Sequence, residues 1–136
     1  MRNDRKLHVV VAGESYRAVF PLVTKLVATN AFNVSVYGSR HADQIADYIA
    51  PDTDAVVLFL TDSDNVFELR ELLSKFATQA FVLVDANNPP RAALARLADS
   101  FGAALARADE GPVIVTATLT SLLAQRVGGT ASTARP

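Results

Sequence analysis

The chain contains no cysteine, which excludes disulfides and thiolate metal sites. Its two histidines, His8 and His41, are too few for a histidine-based zinc site unless carboxylates complete it. Charge of one sign is also missing. The formal net charge is −1, so no general basic surface recruits nucleic acid directly. No uninterrupted apolar run approaches the length that crosses a membrane, and no membrane contact is expected. The first six residues, Met1-Arg-Asn-Asp-Arg-Lys6, are charged and lead into only a handful of apolar ones, unlike a signal peptide. The cytoplasm is therefore the expected location. Neither G-x-G-x-x-G nor G-x-x-x-x-G-K-[ST] occurs, so two common phosphate-cradling loops are absent.

What is present is an ordinary globular composition: 136 residues, half of them hydrophobic and a fifth charged, enough for one domain with a real core. The central feature is Asp54-Ala-Val-Val-Leu-Phe-Leu-Thr-Asp62, a short apolar run with an acid at each end. It reads as a strand buried on both faces. Leu7–Ala12 and Ala80–Val84 have the same character. Phe32–Tyr37 alternates, as a less buried strand does, and Ala103–Arg107 is a weak fifth strand. Helical spacing falls between them. Tyr16, Val19, Phe20, Val23, Leu26 and Val27 share one face, with Ser15 as a candidate cap. Pro21 predicts either a kink or a later helix start near Phe20. Further helices are expected over His41–Ala50, from Asn65 to about Phe76 and from Pro89 to Ser100, the last ended by Gly102 in a left-handed cap. A final helix is expected to run to Val127 and to stop at Gly128-Gly129. Residues 130–136 then read as a linker or frayed tail after a domain of residues 1–129.

Five strand–helix units predict an α/β fold, a doubly wound parallel sheet with helices on both faces, and right-handed crossovers give the flavodoxin-like order 2-1-3-4-5. Ligands of such folds bind beyond the carboxyl ends of the strands. Glu14, Asp62, Asp64, Asp85, Asp109 and Glu110 all fall at that edge. Glu14, Asp62 and Asp85 could together hold Mg²⁺ through oxygen ligands, although aspartates at these places also serve as turn residues and helix caps. Tyr16 and Tyr37 fit edge aromatics, and neither histidine is placed to activate Ser15 as a nucleophile. No catalytic residue and no cofactor is expected.

Three patterns, Val9-Val-Val-Ala-Gly-Glu14, Asp54-Ala-Val-Val-Leu-Phe59 and Gly102-Ala103 with the strand after it, give the chain from about Leu7 to Val127 a likeness. In order and spacing it resembles the CheY-like receiver domain of two-component response regulators. The resemblance implies an acidic pair after the first strand, a phospho-accepting aspartate ending the third, a hydroxyl residue after the fourth and a lysine after the fifth. Here Gly13 stands for the first acid, Phe59 for the phospho-acceptor and Asp85 for the hydroxyl residue, and Arg107-Ala-Asp109 replaces the lysine region. A phosphoryl group needs its lysine and its metal-holding acids, and an acid in the hydroxyl position would repel it. The likeness is thus to an atypical, phosphorylation-independent receiver, such as stands at the N-terminus of Tad/Cpa-type pilus-assembly localisation proteins. Degenerate regulators with a DNA- or RNA-binding output domain are a second host class.

Between Gly111 and Gly128 the only charged residue is Arg126, whereas a helix covering a sheet normally has a charged outer stripe. This predicts a second buried surface, with Val113, Thr116, Thr120 and Leu123 as candidates. The resemblance points to homodimerisation through the fourth helix, fifth strand and fifth helix. A neutral solvated face of threonines is the alternative.

Overall fold

The computed structural model describes residues 6–13, 16–38, 42–60, 66–85 and 91–134. Among the described residues, five strands and five α-helices alternate strictly: β1 (Leu7–Gly13), α1 (Tyr16–Ala28), β2 (Phe32–Tyr37), α2 (Ala42–Ala46), β3 (Ala55–Leu60), α3 (Val66–Lys75), β4 (Ala80–Asp85), α4 (Ala92–Phe101), β5 (Ala104–Arg107) and α5 (Gly111–Ala134). A 3₁₀ turn, Ala108–Glu110, joins the last two. The strands are all parallel, in the order β2-β1-β3-β4-β5, as the pattern of apolar runs predicts.

The sheet separates two cores. Val10, Ala12, Val56, Leu58, Leu60, Phe81 and Leu83 point to α2, α3 and α4, and Val9, Val11, Ala55, Val57, Val82 and Val84 point to α1 and α5. This is why β3 and β4 read as continuous apolar runs: both of their faces are covered. Each fully buried Leu or Val contributes about 1.5–3 kcal/mol of transfer free energy, so the central strands supply much of the stability. Asp54, just ahead of β3, is a backbone partner. Its Oδ2 accepts the His8 N–H at 2.8 Å, and its own N–H donates to the His8 carbonyl at 2.8 Å.

Three elements differ from expectation. α1 begins at Tyr16 and passes through Pro21, so the later start near Phe20 does not occur. The lost hydrogen bond falls on an exposed turn of the helix, where water can replace it. α2 is only five residues long, but Ile45 and Ile49 are both buried as its spacing implies. α5 does not stop at Gly128-Gly129. Its backbone stays helical to Ala134, because a glycine costs a helix only about 1 kcal/mol relative to alanine and does not forbid it. The backbone of residues 130–134 is helical with the rest of α5. Val113–Thr118, rich in β-favouring residues, lies inside α5. Gly102 ends α4 at φ 68°, and its N–H donates to the α4 carbonyls, the left-handed cap expected there. Among the described residues, no helix is long and apolar enough to cross a membrane.

Candidate functional site

Strand register sets what stands at the carboxyl edge. Gly13 lies beside Phe59, Phe59 beside Val84 and Val84 beside Ala106. One residue further on, Leu60 lies beside Asp85 and Asp85 beside Arg107. The first row is wholly uncharged. Phe59 is half-buried and packs against the core that faces α1 and α5. With Ala18, Pro21 and Leu22 of α1 and Gly111, Pro112 and Val115 of α5, it lines a small apolar hollow.

Gly13 is closely packed between α1 and β3. A Cβ at position 13 would stand 2.6 Å from Val19 Cγ2 and 2.9 Å from Phe59 Cβ, closer than packed carbons tolerate. An acidic side chain cannot be placed at 13 while Phe59 and Val19 keep their positions. The obstruction comes from Val19 and from the Cβ of residue 59, so it accounts for the missing acid at 13 whatever side chain stands at 59.

Asp85 ends β4 and is completely buried. Its Oδ2 accepts the Arg91 backbone N–H at 2.8 Å, with the Arg91 Nε at 3.6 Å. Arg91 is the N-cap residue of α4 and makes no side-chain cap bond of its own. The strand carboxylate therefore anchors the start of the helix, a task usually left to a capping side chain. Arg107 closes β5. Its N–H donates to Glu110 Oε1 at 2.8 Å and its Nε faces Asp109 Oδ1 at 3.3 Å. The guanidinium in the lysine region is thus directed to Asp109.

Of the three carboxylates expected to hold Mg²⁺, Glu14 and Asp62 lie outside the described residues, as does Asp64. Asp85 has one oxygen committed to α4. No group of three potential metal-ligating side chains occurs among the described residues. The pairing of Asp85 with Arg91 is not foreseen from the sequence. The available signal is an aspartate closing an apolar strand with an arginine six residues later, at the next helix start.

The helical phase of α5 redistributes the interface candidates. Val113 and Thr120 are exposed, but Thr116 is buried and Leu123 packs partly into the core on the α1 side. Pro112 lines the gap to α1, and Thr116, Thr120 and Leu123 follow it on that flank at helical spacing. The β5 flank instead carries Ile114, Ala117, Thr118 and Ser121, which with Ala104 and Leu122 line a shallow uncharged groove.

No protein-family model matches the sequence, and no curated protein matches it. Solved structures do match. The RcsB response regulator of Salmonella typhimurium superposes with a TM-score of 0.68 at 16% identity over 91% of this chain, which spans 61% of that one. A CheY-like response regulator of Mesorhizobium loti gives 0.71 at 15% identity, covering 87% of this chain and 99% of that one. A CheY-like receiver domain of Methanospirillum hungatei gives 0.72 at 10% identity, covering 92% and 99%. The sheet order, the helices on both faces and these superpositions together establish that the chain has the CheY-like receiver fold.

Proposed function

We propose that the chain is a non-catalytic signalling module that works by docking to other proteins and to itself, without phosphorylation of an aspartate. One observation carries the reading: the row Gly13-Phe59-Val84-Ala106 is uncharged and closely packed where a phosphate-accepting receiver needs acids. Receiver signalling depends on a new charge reorganising the carboxyl edge. Here Asp85 is already bonded to the start of α4 and Arg107 faces Asp109, so the groups that would respond have partners.

The docking surface is the α4–β5–α5 face. α5 has no charged residue before Arg126, and Val113 and Ile114 are among the exposed large hydrophobic residues. A homodimer through this face would cover Ile114, Ala117, Thr118 and Ser121. The host would be a larger regulatory protein, for which a pilus-assembly localisation protein is one setting. The test is sedimentation velocity with and without Mg²⁺ and beryllofluoride, a phosphoryl mimic. Self-association that is unchanged by the mimic and weakened by Ile114→Glu supports the reading. Association that appears only with the mimic refutes it.

A further inference from the structure

β2 is the outer strand of the sheet, and one side of its backbone has no neighbouring strand among the described residues. Proteins protect such edges with charge, proline, bulges or short length. β2 has none of these. Its six residues, Phe32-Asn-Val-Ser-Val-Tyr37, include no charge and no proline, and it pairs with β1 without a bulge. The opposite edge is protected by comparison: β5 has four residues and ends in Arg107.

The surface beside β2 is apolar as well. Ala18, Pro21 and Leu22 line the gap between α1 and α5. Phe20, Val23 and Val27 lie across the buried stripe of Val19, Leu22 and Leu26, so they turn toward β2. Phe32 and Val34 pack on the α1 side, and strand alternation puts Val36 on the same face. Phe20, Val27 and Val36 are 49%, 57% and 41% exposed. No charged side chain stands between Phe20 and Val27 on that flank, because Lys25 projects from the other side of α1.

We propose that β2 pairs antiparallel with β2 of a second copy, about a two-fold axis normal to the sheet, joining the two five-stranded sheets into one. A second copy fits because the surface is self-complementary. The axis keeps both α1 helices on one face, so Phe20, Val27 and Val36 meet their own counterparts. Any register that sets even-numbered residues opposite even-numbered ones keeps Phe32, Val34 and Val36 on that face in both copies. A charged partner would gain nothing from a strip without charge, whereas two identical neutral strips meet without repulsion. The interface is independent of the α5 face, which lies at the other edge of the sheet, so one copy can use both.

Sedimentation velocity on the 136-residue chain separates the two faces. In Ile114→Glu the α5-face association is lost while the β2 pairing persists, and the protein sediments as a dimer in place of larger assemblies. In the double variant Ile114→Glu, Val36→Lys, like charges are brought together on the paired edge. The dissociation constant rises about tenfold or more, and the protein sediments as a monomer. Because the chain has no cysteine, Ser35→Cys adds a second readout: a short bismaleimide joins two copies covalently only if their β2 edges meet. If Val36→Lys fails to fold, this cross-linking decides alone. A monomeric Ile114→Glu, or a Ser35→Cys chain that does not cross-link, overturns the proposal. A Val36→Lys single variant that is folded and monomeric would remove the α5-face dimer and leave the β2 pairing standing.

Discussion

Replacing Asp85 with alanine tests whether a strand carboxylate holds the start of α4. Asp85 is completely buried, and its Oδ2 accepts the Arg91 N–H at 2.8 Å with Nε at 3.6 Å. A hydrogen bond to a charged group contributes about 1.5–3 kcal/mol. Breaking a buried ion pair by removing one partner costs about 3–5 kcal/mol when the other charge stays buried and uncompensated. The second figure overstates this case, because the Arg91 side chain is 25% exposed and can turn to water. The variant also removes a buried negative charge, which offsets part of the loss. We expect a net destabilisation of about 2 kcal/mol, the middle of the hydrogen-bond range. For a domain of this size that corresponds to a fall in Tm of about 6–10 °C. Urea denaturation followed by circular dichroism reads the midpoint, and an unchanged slope shows that unfolding stays two-state. Asp85→Asn keeps an oxygen for the Arg91 N–H and is expected to lose less, about 1 kcal/mol, since a neutral acceptor binds more weakly. An Asp85→Ala protein within about 0.5 kcal/mol of wild type, the range of ordinary surface changes, would refute the anchoring.

Further outcomes follow from the packing at the same edge. Gly13→Ala places its Cβ against Val19 and Phe59 and is expected to lose about 1–3 kcal/mol, as overpacking does. Combining it with Val19→Ala, which removes the Cγ2 that would lie 2.6 Å away, should cost less than the sum of the two, read as coupling in a double-mutant cycle. Gly102→Ala forces a side chain into the left-handed region at φ 68° and should destabilise by about 1–2 kcal/mol in thermal unfolding. Mg²⁺ at millimolar concentration is expected to leave the melting temperature unchanged; a rise abolished by Glu14→Ala would instead support a cation held by the acidic rim.

The sheet was legible in the sequence because burial on both faces leaves a plain signature. Ala55–Leu60 and Ala80–Val84 are apolar runs too short for helices, and strand order follows once crossovers are right-handed. Helix ends were less legible. Pro21 and Gly128-Gly129 weaken a helix by local terms that neighbouring turns outweigh, and both lie within helices.

The carboxyl edge was legible in residue type but not in contact. That Phe59 stands near the phospho-acceptor position can be read by counting from Asp54. That Val19 and the Cβ of residue 59 make a side chain at position 13 untenable needs the distances from β1 to α1 and β3. Helical phase explains the redistribution on α5. Thr116 and Ile114 are two residues apart, which turns them far apart around the axis, one buried and the other exposed. A composition that lacks charge along a whole helix does not reveal which flank is free.

The central claim is that the carboxyl edge takes no phosphoryl group. Intact-mass spectrometry after incubation with acetyl phosphate and Mg²⁺ measures this directly. The account predicts an unchanged mass for every molecule. Stoichiometric addition of one acid-labile phosphoryl group, dependent on Mg²⁺ and lost in Asp62→Asn, would contradict it.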